Sequence, residues 1–324
     1  MDILWKTFND FEIAQASFRG KWLCDFMKSH AEIPVFAVTL YLTLVFYVPS
    51  WMANKQPLKL QWFFAIWNFL LTIFSIYGAA RTVPSLIGFL HHNGFRFTVC
   101  QNPEVDFYFD GAVGCWTGLF ILSKIPELLD TVFLVLQKKD VIFLHWFHHC
   151  TVMLYCWHSY ISVISTGLWF AGMNFAVHSI MYLYYFLMAI GAKNIVKPFA
   201  PIVTTLQLLQ MIVGMTVTVF SLVWSDFAAD KKLCFVDAAN GRMGLCMYTA
   251  YFVLFAVLFK KLYLTKGGRK SLVGGRAAGE DNRSGTNRKK GVFSSDDGAG
   301  LFLEVDEQPS PKTQSPTGHE KKFR

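Results

Sequence analysis

Seven stretches of mostly apolar residues, each near the length needed to cross a bilayer, constrain this chain more than any other feature. A membrane-spanning helix takes roughly twenty such residues. The stretches fall at roughly Pro34–Trp51, Leu60–Ala80, Ala112–Leu136, Val141–Val163, Leu168–Ile190, Pro201–Trp224 and Met243–Leu264. Backbone N–H and C=O groups in hydrocarbon must be satisfied within the protein, and these segments are too long for barrel strands, so all seven are expected to be helices. The expected fold class is all-α, a polytopic membrane bundle of seven transmembrane helices. Composition agrees: 53% hydrophobic, 17% aromatic and 16% charged leaves too little polar surface for a soluble protein of 324 residues.

An odd number of spans puts the two ends on opposite sides. Lys260, Lys261, Lys266, Arg269 and Lys270 crowd the end of the last span, which places the C-terminus in the cytosol and the N-terminus in the lumen. Cytosolic connections then carry Lys55 and Lys59, Lys138 and Lys139, and Lys193 and Lys197, whereas the loop between the fourth and fifth spans has no Lys or Arg. Arg81, Arg96, Lys231, Lys232 and Arg242 fall on the lumenal side against the trend. Three regions follow: an N-terminal lumenal segment (1–33), a seven-span domain (34–264), and a cytosolic tail (265–324) rich in Gly, Ser, Pro and charge and expected to be disordered. Met1 to Glu32 is mixed polar and charged and the first apolar run is a full span, so no cleavable signal is expected.

Twelve of the thirty Lys and Arg lie after Thr265, so the basic balance belongs to the tail and the membrane surface. No nucleic-acid motif and no paired CxxC spacing accompanies it. The last four residues, Lys321, Lys322, Phe323 and Arg324, form a di-lysine pattern similar to a cytosolic retrieval signal of endoplasmic-reticulum membrane proteins. The expected location is therefore the endoplasmic-reticulum membrane. Of seven cysteines, Cys100 and Cys234 fall in the two longest loops, both on the oxidising lumenal side, and are expected to be bonded. The alternative is two free thiols, because spacing does not show whether the loops meet.

Ionisable groups inside a span cost several kcal/mol and mark function by default. The fourth span holds His145, His148 and His149, which share one face of a single helical turn. The third holds Lys124, Glu127 and Asp130 at intervals of three, with Pro126 loosening the helix between the first two. Lys124 and Glu127 can pair, and an internal salt bridge that only permits insertion is the bland reading. The fifth span carries Asn174 and His178 on one face, followed by Tyr182 and Tyr185; the sixth carries Gln207 and Gln210. Amides and hydroxyls also serve as interhelical glue.

These residues carry a resemblance. Lys-x-Pro-Glu-Leu-x-Asp-Thr at Lys124–Thr131, His-x-x-His-His at His145–His149, Asn-x-x-x-His-x-x-Met-Tyr-x-Tyr-Tyr at Asn174–Tyr185 and Thr-x-x-Gln at Thr204–Gln207 occur in the order found in very-long-chain fatty acid elongases. The seven-span body resembles that family; the tail is outside the resemblance. His-Trp-Phe-His-His, with Leu144 before it and Thr151–Val152 after it, is most similar to the subgroup that elongates saturated and monounsaturated chains, which has Tyr where this chain has Phe147.

The resemblance implies an acyltransferase, a 3-ketoacyl-CoA synthase that joins a long-chain acyl-CoA to malonyl-CoA with release of carbon dioxide and CoA. His148 is the expected nucleophile, through an acyl-imidazole, with His145 and His149 as base or orienting partners. His178 and Asn174 would polarise the malonyl thioester or stabilise its enolate. Lys124 would face a malonyl carboxylate or CoA phosphate, positioned by Glu127 and Asp130, while Tyr182, Tyr185, Gln207 and Gln210 complete the substrate site. An apolar tunnel closed toward the lumen would bury the acyl chain. No metal and no cofactor is expected; without a glycine-rich nicotinamide motif, the ketoacyl reductase, dehydratase and enoyl reductase steps belong to partner enzymes. Pairing of two copies is left open. Cys150 is a rival nucleophile, ranked lower because it lies round the helix from His145 and a thiol facing hydrocarbon is a poor thiolate. The rival classes are a membrane di-iron desaturase or hydroxylase, which needs about eight His in three boxes against nine in this whole chain, and a seven-span receptor or transporter.

Overall fold

In the computed structural model, residues 2–105, 107–227 and 234–265 are described, and every regular element among them is helical. The order is α1 (Asp2–Ala16), α2 (Gly20–Ser29), α3 (Glu32–Met52), α4 (Gln61–Cys100), α5 (Gly111–Ser123), α6 (Leu129–Leu136), α7 (Phe143–Ile161), α8 (Gly167–Ala189), α9 (Lys193–Val196), α10 (Ala200–Phe227) and α11 (Ala238–Phe259). A 3₁₀ turn, Pro126–Leu128, joins α5 to α6, another, Lys197–Phe199, joins α9 to α10, and a π turn, Lys260–Leu264, ends α11. The di-lysine end, the tail from Lys266 onward, Lys231 and Lys232 lie outside the described residues.

Among the described residues, four helical runs are long and apolar enough to cross a membrane: Glu32–Met52, Gln61–Cys100, Lys193–Asp226 and Ala238–Leu264. Three further segments, α5 with α6, α7 and α8, fall short because they are broken or because they carry the polar residues of the site. Large apolar side chains stand exposed along α4, among them Phe63, Ile66, Leu70 and Ile73. Such a face is a liability in water and ordinary in lipid. Hydroxyls on these helices are satisfied locally: Thr72 donates to the carbonyl of Asn68 and Thr82 to that of Gly78, each at 2.7 Å.

Hydrogen bonds at the helix ends sort the connections into two sets. At one end Leu58 N donates to Leu136 O, Lys138 Nζ to Ala53 O and Gln61 Nε2 to Ala189 O. At the other, Cys100 is disulfide-bonded to Cys234, Phe235 N donates to Cys100 O, and Asp110 receives Arg19 Nη1 at 2.9 Å. The first end carries Lys55, Lys59, Lys138, Lys139, Lys193 and Lys197. α2 packs at the second end, with Leu23, Cys24 and Met27 in a core shared with Trp116, Phe120 and Trp157.

The second apolar stretch runs past its expected end at Ala80, as far as Cys100. Arg81 does not stop the helix because its guanidinium donates to Glu12 of α1 and to the Tyr77 hydroxyl. Residues 61–93, which precede the break at Gly94, at about 1.5 Å each already exceed the hydrocarbon thickness. Gly94, at φ 79°, bends the far end, a conformation that only glycine adopts freely. Cys100 therefore closes a helix rather than sitting within a long loop.

Candidate active site

Pro126 organises one wall of the site. It has no N–H to donate and its ring crowds the preceding turn. α5 ends at Ser123, and the chain continues through i to i−3 bonds, Lys124 N to Ile121 O and Leu128 N to Ile125 O. Lys124 Nζ, 3% exposed, donates to Glu127 Oε1 and Oε2 at 2.7 and 2.9 Å and to Asn174 Oδ1 of α8 at 3.3 Å. Glu127 also accepts from Ser123 Oγ at 2.7 Å. The ammonium lies 4.3 Å from the centre of the Phe120 ring. Each charge of this buried pair is thus compensated, which its burial requires.

Asp130 takes a different direction. Expected beside Lys124 with Glu127, it instead accepts from Trp67 Nε1 at 2.6 Å and Tyr182 OH at 3.1 Å. The 3₁₀ turn rotates α6 relative to α5, so a spacing of three does not carry all the polar groups onto one face.

α7 presents the histidines. His145 and His149, one turn apart, have ring centres separated by 4.5 Å; His148 and His149 are at 5.5 Å. His145 Nε2 is 2.8 Å from Thr131 Oγ1, itself 2.8 Å from the Tyr41 hydroxyl of α3. His148 packs against the ring of Tyr251, 4.9 Å away. Asn174 Nδ2 lies 3.0 Å from His178 Nε2. Among the described residues, no three His, Cys, Asp or Glu side chains converge as a metal-binding group.

Two cavities adjoin here. The larger, about 160 Å³, is bordered by every expected catalytic and substrate residue except Lys124. It runs toward the lysine-rich end, past Ile142, Ala200, Thr204 and Leu262. The smaller, about 50 Å³, runs the opposite way, to Tyr108, Tyr160, Ile164 and Gly167. They share His148, Asn174, Gln210 and Met211, so among the described histidines His148 alone borders both. At the far end the Tyr108 hydroxyl donates to Ile164 O, and the rings of Phe109 and Tyr160 stack at 5.3 Å.

Cys150 borders neither cavity; it packs with Val38, Tyr41 and Val45 of α3. Gln207 Nε2 donates to the Met181 sulfur, at 3.2 Å. Tyr41, Trp67 and Tyr251 were not anticipated as neighbours of the site, since they come from α3, α4 and α11, where no polar spacing signals them. Thr131 was visible as the last residue of the Lys124–Thr131 motif, without a stated role.

Comparison with known proteins fits this geometry. The family model described as ELO, the GNS1/SUR4 family, matches residues 26–271. "Fatty acid elongase 3" of Trypanosoma cruzi (strain CL Brener) is 44% identical over 281 residues, covering 79% of this chain and 92% of the relative. "Very long chain fatty acid elongase 4" of the same organism is 43% identical over 286 residues, 88% of this chain and 99% of the relative. "Very long chain fatty acid elongase 6" of Drosophila melanogaster is 43% identical over 232 residues, 72% of each. A match that spans the body of the chain, on a helical scaffold that gathers the motif residues around one cavity, shows that the chain belongs to the GNS1/SUR4 family of fatty acid elongases, condensing enzymes of fatty acid elongation.

Proposed function

We propose that the protein condenses a long-chain acyl-CoA with malonyl-CoA through an acyl group held on His148. The observation that carries this reading is the place of His148 at the junction of the two cavities. With the acyl carbonyl there, the alkyl chain extends into the smaller, mostly apolar cavity and CoA projects through the larger one toward the lysine-rich end. In the first step a nitrogen of His148 attacks the thioester carbonyl; the C–S bond breaks and CoA leaves as a thiolate that takes up a proton. In the second, malonyl-CoA loses carbon dioxide, its C2 attacks the acyl carbon, and the C–N bond to His148 breaks to give 3-ketoacyl-CoA. His149 and His145 hold the ring environment, and donors around the cavity stabilise the oxyanions of both steps.

The wider setting follows the same reading. α3, α4, α5 with α6, α7, α8, α10 and α11 make seven passes, with the lysine-rich end in the cytosol and the disulfide end in the lumen. The cavities together form an acyl tunnel closed near Tyr108. The endoplasmic reticulum is the expected membrane, with the reductases and dehydratase of the cycle as partners and no cofactor in this chain.

Purified protein incubated with palmitoyl-CoA alone and then digested should yield a peptide carrying the acyl mass on His148, absent from His148→Ala. Acylation on Cys150, or no acylation in protein that forms 3-keto product once malonyl-CoA is added, overturns the acyl-histidine route.

A further inference from the structure

The hydrogen-bond directions around Asn174 fix a proton that spacing alone leaves open. An ammonium has three donors and no acceptor, so Lys124 Nζ can face only the oxygen end of the Asn174 amide, and Oδ1 lies there at 3.3 Å. The two ends of an amide are assigned by their partners. The Nδ2 end must then point the other way, and it meets His178 Nε2 at 3.0 Å. Nδ2 only donates, so Nε2 of His178 must offer its lone pair. A neutral imidazole with an unprotonated Nε2 carries its proton on Nδ1.

Lys124 is otherwise occupied. Its three donors meet three acceptor atoms, two from Glu127 and one from Asn174, and its side chain borders neither cavity. A substrate anion could engage it only by displacing one of these bonds. His178 and Asn174, by contrast, both border the larger cavity.

We infer that Lys124 is a positioning residue that, through Asn174, holds His178 in its Nδ1–H form, so that His178 donates a hydrogen bond to the enolate oxygen of malonyl-CoA rather than acting as a base or nucleophile through Nε2. This rests on the condensation reading above. Developing negative charge on a thioester oxygen gains most from a donor that is fixed before the reaction begins. The Lys124–Asn174 bond supplies that fixation without contacting substrate.

The test is solid-state NMR of the full chain in lipid bilayers with ¹⁵N-labelled histidine, the His178 signals being identified by their loss in His178→Ala. The wild type should show a protonated Nδ1 and an unprotonated Nε2. In Asn174→Asp both side-chain oxygens accept, so the His178 proton should move to Nε2. The double variant Lys124→Met/Glu127→Met removes both charges of the buried pair, leaving neither alone. It should lose the single-form signature and show kcat reduced at least thirtyfold, with KM for both CoA substrates within threefold of wild type. A wild-type His178 protonated on Nε2, or a double variant whose KM rises tenfold with kcat held, overturns the inference and returns Lys124 to the role of substrate counter-charge. The tautomer is read without turnover, so an absence of 3-keto product would defeat the condensation reading alone.

Discussion

At the scale of single residues, the site separates into groups that face the cavity and groups that hold those facing it. His148 belongs to the first. Thr131 belongs to the second: fully buried, it bridges the Tyr41 hydroxyl and His145 Nε2 at 2.8 Å on each side. Thr131→Val keeps the shape and removes the bridge, leaving a buried imidazole nitrogen and a phenol without that partner, at a cost of about 1–3 kcal/mol. Condensation kcat is expected to fall about tenfold to a hundredfold, with Thr131→Ser restoring most of it. A Val variant as active as wild type would show that the hydroxyl bridge does not matter. Much of this site was legible: His145, His148, His149, Asn174 and His178 were singled out because polar side chains are costly inside apolar runs. Tyr41 and Trp67 were not, because they are amphipathic aromatics in spans full of aromatics, and only the fold brings them to Thr131 and Asp130. The direction of Asp130 was lost for another reason, the 3₁₀ turn that Pro126 imposes.

At the scale of elements, α4 and α8 make the most extensive helix pairing in the molecule. Gly78 lets them approach: a Cβ there would lie 2.5–2.7 Å from the ring of Phe175. That ring cannot yield easily, being packed by Phe74, Trp116 and Phe120. Small residues at helix contacts are how membrane bundles gain dispersion energy. Gly78→Val gains only a few tenths of a kcal/mol in helix propensity and loses about 1–3 kcal/mol to overpacking. Thermal unfolding in detergent should shift downward, with α8 and its Asn174 displaced; unchanged stability and activity would contradict the close approach. The apolar run at Leu60–Ala80 showed that α4 exists but not how far it extends. Its continuation depends on Glu12, sixty-nine residues from Arg81 in sequence, which receives the charge expected to end the span.

At the scale of the whole molecule, the chain runs between two ends of different character. One gathers lysines; the other carries the Cys100–Cys234 link and the docked α2. The cavities follow the same axis, wider toward the lysines and narrowing past His148 toward Tyr108. This polarity was partly readable from charge, since apolar runs and flanking lysines are local features. The paired cavities were not, because each wall draws on helices far apart in the chain. The most direct measurement of the central claim is condensation itself: purified protein in lipid with palmitoyl-CoA and labelled malonyl-CoA, without NADPH, beside His148→Ala. The account predicts labelled 3-keto product and carbon dioxide from the wild type and none from the variant. Folded wild-type protein that forms no product across a panel of acyl-CoA lengths, or a His148→Ala protein as active as wild type, would contradict it.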